Sequence, residues 1–183
     1  MTLPNYGEAT VETIKCKRCA MDYVRPSHPS GAIDRFLMDM RMVPYRCQLC
    51  THRFWVLEWG KEHSDMEFDK RREYQRLGVS FPIFFKGEHV SGQGKVTALS
   101  IRGCSIETVT RLQHGTVVAL VLHLPGVLVP IDIDAAVVKA SLGNRVGLEF
   151  LDLEAGEEER LRGHIETLIV TGPGELRKMY LNL

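Results

Sequence analysis

The sequence carries no net charge, because 23 lysines and arginines balance 23 aspartates and glutamates among its 183 residues. No global electrostatic field therefore draws the chain towards nucleic acid or an anionic membrane, so an anion site has to be local. Long hydrophobic runs are also missing, since no apolar stretch approaches the roughly 20 residues that span a bilayer. The first residues, MTLPNYGEATVET, lack the features of a signal peptide, so we expect a cytoplasmic protein.

Internal repeats, low-complexity tracts and the usual groupings of catalytic residues are absent from the sequence as well. We find no nucleophile paired with a base, no glycine-rich loop for phosphate and no metal site with an open position. The sequence therefore favours a binding or regulatory protein over an enzyme. Hydrophobic residues make up 44% of the chain, which is ordinary for a globular protein and argues against disorder.

Four of the five cysteines form two Cys-x-x-Cys pairs, CKRC at Cys16 and Cys19 and CQLC at Cys47 and Cys50. In a reducing compartment such pairs are typical of metal ligands rather than disulfides. Two such turns deliver four thiolates that close around one tetrahedral ion, so we predict a structural Zn(II) site. Free thiol pairs and a redox motif are the alternatives, although nothing in the sequence supplies the β-α-β context of a redox motif. Cys104 stands alone and is expected to be a small buried or half-buried hydrophobe.

The region around the cysteine pairs is nearly neutral once a metal is included. Residues 11–60 contain eight basic and five acidic side chains, and four thiolates on Zn(II) add a charge of minus two. The resulting charge of about plus one disfavours nucleic-acid binding and favours protein contact or support of another domain. The segment PYRCQLCTHRFW resembles bacterial zinc-ribbon modules, which implies a fold and a metal.

Two different periods describe the rest of the chain. Between the cysteine pairs, Ile33 to Met40 has helical spacing and predicts a short amphipathic helix. After Val79, apolar and polar residues alternate in five or six segments separated by glycines, which predicts short antiparallel strands in a small barrel or sandwich. From Leu161 to Ile169 the period is helical again, and the acidic residues before it suit a helix N-terminus.

Arginines precede the first of these strands, in the charged connector KEHSDMEFDKRREYQRLG. From about residue 66 to 170 the chain resembles the PilZ family, bacterial β-barrel domains that bind the second messenger cyclic di-GMP. The Arg-x-x-x-Arg motif of the family is matched by Arg72 and Arg76, with Arg71 beside them. Its second motif, Asp or Asn-x-Ser-x-x-Gly, is matched by Ser100 and Gly103 in the segment VTALSIRG.

The resemblance implies a set of residues that bind cyclic di-GMP: Arg71, Arg72, Arg76, Ser100 and Gly103. A guanidinium can donate two parallel hydrogen bonds to guanine O6 and N7, stack on the base and pair with phosphate. Ala98 occupies the first position of the second motif, where the family has a residue that accepts hydrogen bonds from guanine. Alanine has no acceptor, so the site departs from the family pattern at this position.

Together the patterns and the resemblance imply a mainly β fold with α: a zinc-ribbon-like module followed by a six-stranded antiparallel PilZ-type β-barrel with a C-terminal helix. We place the module at residues 1–62, an arginine connector at 63–78, the barrel and helix at 79–170, and a tail at 171–183. We expect the tail to dock on its own domain or on a second copy of the chain, and the second arrangement would make a homodimer.

The functional expectation is a bacterial regulator that binds cyclic di-GMP and relays it by reorienting its modules or by contacting a partner protein. The alternative is a degenerate PilZ adaptor that binds no cyclic di-GMP and acts through protein contacts. Neither interpretation requires catalytic residues. The first rests on the arginine motif, and the second on Ala98.

Overall fold

The structure, a computed structural model, describes residues 14–57 and 73–181, with side chains described up to residue 171. The described residues form two compact units. One contains residues 14–47 and 51–57, and the other contains residues 48–50 and 73–181. Arg71 and Arg72, two of the expected ligand-binding residues, lie outside the described residues.

The first unit is built on a three-stranded antiparallel sheet with the order β1-β2-β3. Its strands are β1 (Val24–Pro26), β2 (Met42–Cys47) and β3 (Arg53–Leu57). Helix α1 (Ala32–Asp39) lies between β1 and β2 in the chain. The helix falls within one residue of the segment that the apolar spacing predicts.

An ion pair, rather than apolar packing, anchors helix α1. Leu37 on its amphipathic face is half-buried, but the other three apolar side chains of that face are more than half exposed: Ile33, Phe36 and Met40. Asp34 is instead the buried residue of the helix, and Arg53 on β3 donates to its carboxylate at 2.7 Å. The Ser30 N–H donates to the same carboxylate at 2.6 Å. These two bonds hold the pKa of Asp34 well below its usual range, because they stabilise the charged form.

The second unit is a closed six-stranded antiparallel barrel, as the sequence predicts. Its strands are β4 (Leu77–Lys86), β5 (Ser91–Ser100), β6 (Gly103–Glu107), β7 (Val117–Leu122), β8 (Ile131–Leu142) and β9 (Arg145–Asp152). The order around the barrel is β4-β5-β6-β9-β8-β7, and β7 pairs back with β4. Closure leaves no strand edge of the barrel unpaired, which removes a template for aggregation.

Alternation along the strands fills the barrel with apolar side chains. The innermost residues are almost fully buried: Ile83, Val96, Leu99, Ile106, Leu120, Leu122, Ile131, Ile133 and Leu148. Burying a side chain of this size stabilises the fold by roughly 1.5–3 kcal/mol. The interior is therefore a packed core, and ligand chemistry has to take place on the outer surface.

Helix α2 (Ala155–Leu181) follows the last strand and packs on the barrel. Its buried stripe contains Leu161, Ile165 and Leu168, the positions that the helical period predicts. Arg160 adds a polar anchor, since its guanidinium donates to the Pro130 carbonyl at 3.1 Å. Among the described residues, no helix combines the length and the apolar character needed to cross a membrane.

Candidate functional site

The four paired cysteines converge on one point. Their four sulfur atoms all lie within 4.8 Å of one another: those of Cys16, Cys19, Cys47 and Cys50. The Sγ atoms of Cys19 and Cys47 are 3.6 Å apart, close to the edge of roughly 3.8 Å in a tetrahedron with Zn–S bonds of about 2.3 Å. A disulfide needs about 2.05 Å between its sulfurs, and none of the five cysteines, all of which lie within the described residues, forms one. The donor set therefore fits a tetrathiolate metal site.

The two Cys-x-x-Cys turns share one backbone geometry. The N–H groups of Cys16 and Cys47 each donate to the carbonyl five residues later, at 2.8 and 2.9 Å. The residue that follows each pair, Ala20 or Thr51, has a left-handed φ of 59°. Since this conformation is unfavourable for residues with a Cβ, surrounding structure has to hold it in place. The repeated turn explains how two distant pairs present their thiols to a common centre.

Arg76 lies against the outer face of the barrel, immediately before β4. Its Nη1 donates to the Ser105 hydroxyl on β6 at 2.7 Å. Ser105 is directly opposite Ala98 on β5, and Gly78 on β4 lies on the other side of Ala98. Directly opposite residues of antiparallel strands project from the same face, with Cβ atoms roughly 5 Å apart. The barrel thus places a guanidinium and a hydroxyl beside position 98.

Gly78, Ala98 and Ser105 form a row across strands β4, β5 and β6, and small residues continue this row around the barrel. Gly147 on β9 is opposite Ser105, and Ala140 on β8 is opposite Gly147. The intervening side chains, such as Leu99 and Leu148, point into the core. The outer surface from β4 to β8 is therefore shallow along this row. Such a surface leaves room for a flat ring system beside the guanidinium of Arg76.

Ser100 and Gly103 form the end of the β5–β6 hairpin. Ser100 is 5% exposed, and its hydroxyl donates to the Gly103 carbonyl at 3.0 Å. A Cβ on Gly103 would clash with the carbonyl oxygen of Leu148 on β9, so the close approach of these two strands requires glycine. Both residues thus have structural partners within the barrel. Their contact with a ligand stays a prediction.

Ser105 is the residue of this surface that sequence reasoning did not identify. A signal was present, because Cys104 is an inward-facing position and its neighbour in a strand must face outward. Cys104 is fully buried, as expected, and burial raises the pKa of its thiol to about 12. Its neighbour Ser105 is therefore the polar side chain that β6 offers to the outer surface beside Arg76.

Solved structures with a similar fold belong to several bacterial proteins. The inhibitor of motility MotI/DgrA from Bacillus subtilis is 18% identical with a TM-score of 0.50, over 72% of this chain and 67% of that chain. YcgR from Escherichia coli, in complex with c-di-GMP, is 16% identical with a TM-score of 0.47, over 83% and 76%. The PilZ domain of CeSA from a cellulose-synthesising bacterium is 15% identical with a TM-score of 0.42, over 51% and 97%. At these identities the likeness concerns the fold alone.

The sequence itself identifies the family. A comparison with curated proteins shows no match. The model of the PilZ domain, however, matches residues 70–167, which is more than half of the chain. This range includes the connector arginines, all six barrel strands and the buried stripe of α2 up to Ile165. The chain therefore belongs to the PilZ domain family.

Proposed function

We propose that the chain is a cytoplasmic bacterial regulatory protein that binds cyclic di-GMP on the outer face of its barrel. The observation that carries the proposal is the hydrogen bond from Arg76 to Ser105, which holds a motif arginine on the shallow row of small residues. The family of the chain supports this choice of ligand. No catalytic group is required by this function.

The arginines supply the main recognition chemistry in this proposal. Cyclic di-GMP presents two guanine bases and two phosphates, and a guanidinium recognises either group through paired hydrogen bonds. Arg76 is exposed and within reach of the barrel surface, whereas Arg71 and Arg72 precede it in the connector. All three arginines would bind the ligand and hold it against the outer surface of the barrel. Binding is then expected to weaken with salt.

Ser100, Gly103 and Ser105 supply the barrel side of the proposed site. Ser100 and Gly103 shape the hairpin end, through the hydrogen bond between them and the close approach of Gly103 to β9. Ser105 adds a hydroxyl directly opposite Ala98, where it can accept a hydrogen bond from a guanine N–H. A neutral hydrogen bond contributes about 0.5–1.5 kcal/mol, less than the bond to a carboxylate. Ser105 therefore replaces only part of the acceptor that Ala98 lacks.

The signal would be relayed through the connector. Cyclic di-GMP draws Arg71 and Arg72 onto the barrel beside Arg76, which already bonds to Ser105 there. The ordered connector then reorients the N-terminal module or exposes a surface to a partner protein. A ligand shifts such an equilibrium only by its difference in affinity for the two arrangements. The motif arginines meet this requirement, because they contact the ligand in one arrangement only.

Isothermal titration calorimetry with cyclic di-GMP tests the ligand assignment. Wild type is expected to bind, and the double variant Arg72→Ala, Arg76→Ala is expected to lose binding. Arg111→Ala is the matched control, since Arg111 is an exposed arginine between β6 and β7. Absence of heat from wild type at high micromolar ligand, or unchanged binding by the double variant, contradicts the proposal.

A second candidate function is a ligand-independent adaptor that contacts partner proteins directly. Two observations favour it: Ala98 offers no acceptor, and the Ser100 hydroxyl is already bonded to Gly103. The same titration separates the candidates. A wild-type chain that is folded and gives no binding heat supports the adaptor.

We also propose that the four clustered cysteines hold one structural Zn(II). Four thiolates complete the coordination shell, so the metal would stabilise the local fold and leave no position for substrate. Metal analysis of the purified chain is expected to give about one zinc per molecule. Cys47→Ser should lose the metal, whereas Cys104→Ser is the control and should retain it. A metal-free, folded wild type contradicts this assignment.

A further inference from the structure

Gln48 lies inside the second cysteine turn and is only 3% exposed. Its side-chain oxygen accepts a hydrogen bond from the Gln75 N–H at 2.7 Å. Its side-chain nitrogen donates to the Glu73 carbonyl at 3.4 Å. The primary amide therefore pairs with the backbone of residues 73–75 in the way that a neighbouring strand would.

The segment that Gln48 holds is the end of the arginine connector. Residues 73–75 directly precede Arg76, which in turn bonds to Ser105 on the barrel. Residues 48–50 group with the barrel rather than with the N-terminal sheet. Gln48 thus holds the backbone of residues 73–75, which lie between the two motif arginines in the sequence.

Pre-ordering of this backbone matters for affinity. A flexible segment that folds around a ligand loses conformational entropy, and this loss reduces the observed affinity. A segment that already has its bound conformation avoids the loss, because the competent state is more highly populated before binding. The two hydrogen bonds of Gln48 hold the segment in one conformation. The cysteines that flank Gln48, Cys47 and Cys50, belong to the metal cluster and define the turn that carries it.

We infer that Gln48 is a positioning residue for the arginine connector. A metal bound by the flanking cysteines would then raise the affinity for cyclic di-GMP by fixing the turn that holds Gln48. The inference rests on the proposed function. Gln48 itself contacts the connector backbone and needs no contact with the ligand. Since coupling between two ligands is reciprocal, cyclic di-GMP raises the affinity for the metal by the same factor.

Calorimetry on the full, metal-loaded chain tests the positioning role. Gln48→Ala removes both hydrogen bonds and is expected to weaken cyclic di-GMP binding about five- to tenfold. Gln48→Glu keeps an acceptor for the Gln75 N–H and loses the donor to Glu73, so an intermediate affinity is expected. Gln113→Ala is the control, because Gln113 is an exposed glutamine between β6 and β7.

Three further measurements separate positioning from general damage. Zinc content and the absorption of the Co(II)-substituted site should be the same in wild type and Gln48→Ala. Hydrogen exchange at the Gln75 amide should be faster in Gln48→Ala, since this N–H loses its acceptor. Removal of the metal by a chelator should weaken ligand binding by wild type and leave the affinity of Gln48→Ala nearly unchanged.

The outcomes distinguish this inference from the proposed function. Equal affinities of wild type and Gln48→Ala, with intact metal in both, overturn the inference and leave the proposed function standing. Absence of binding by wild type overturns the proposed function and the inference with it. The comparison of loaded variants needs no metal removal, so it decides the positioning role even where the metal-free chain unfolds.

Discussion

The substitution Ala98→Asp adds a charged hydrogen-bond acceptor to the surface proposed to bind cyclic di-GMP. Position 98 is half-buried on the outer face, between Gly78 and Ser105. A Cβ at Gly78 would meet nothing within 4 Å, so a larger side chain at position 98 has room on that side. A carboxylate there would accept hydrogen bonds from the N1–H and N2–H groups of a guanine lying along the row.

The size of the effect follows from two opposing terms. A hydrogen bond to a charged group contributes about 1.5–3 kcal/mol, which corresponds to about one to two decades in affinity. In the free protein the new carboxylate would also pair with the exposed Arg76, and a surface pair of this kind contributes about 0–1 kcal/mol. The ligand has to displace that pair. We therefore expect a gain of about tenfold in cyclic di-GMP affinity.

Calorimetric titration of wild type and three variants at one salt concentration measures this gain. Ala98→Asp should bind most tightly and Ala98→Asn next, since an amide oxygen is a neutral acceptor. Ala98→Leu adds bulk without an acceptor and should bind no better than wild type. Equal affinities of Ala98→Asp and wild type, in a folded protein, would refute the placement of guanine beside position 98 and favour the adaptor.

Three further predictions concern the scaffold around the site. Gly103→Ala should destabilise the barrel by about 1–3 kcal/mol in urea denaturation, because its Cβ would overlap the Leu148 carbonyl, whereas Gly78→Ala should cost little. Burial raises the pKa of the Cys104 thiol to about 12. Cys104 should therefore react with iodoacetamide at pH 8 about three orders of magnitude more slowly than an exposed thiol. Rapid labelling of Cys104 in the folded chain would contradict this. Asp34→Asn should destabilise the N-terminal unit by about 2–3 kcal/mol, because it removes the charge that pairs with the half-buried Arg53; the exposed Asp39→Asn is the control. Because the folded pKa of Asp34 is lowered, its stabilisation is complete above the unfolded pKa of about 3.9 and is lost only as pH falls further, so the difference should be constant from about pH 8 to pH 6.

Much of the barrel was predictable because strand alternation is a local property. Each strand that the sequence predicts is present, although its ends differ by a few residues. For example, the alternation predicts a strand over Val79 to Phe85, and the observed β4 spans Leu77–Lys86. Helix α2 contains the expected stripe and continues further, to Leu181. The N-terminal sheet was less visible, since β1 and β3 are short and alternate weakly.

The site was predictable only in part. The cysteine spacing correctly indicated one cluster of four cysteines. Each Cys-x-x-Cys turn already holds two thiols close together, so the fold has only to bring the two turns near each other. The motif singled out Arg76 as a ligand-binding residue, a role that stays a prediction, but its observed partner Ser105 is 29 residues away in the chain. Strand register brings Ser105 opposite Ala98, and register depends on pairing along the whole sheet. Motif matching alone does not contain that information.

The sequence by itself determined the strand and helix periods, the pairing of four cysteines and the family of the chain, because spacing along the chain carries each of them. Tertiary structure alone decided which face of α1 is buried, since the Asp34–Arg53 ion pair outweighs a short apolar stripe. It also decided that Ser100 bonds to Gly103 and that Gln48 holds the connector before Arg76. Most of these contacts join residues far apart in the chain, and all depend on the geometry that the packed core imposes.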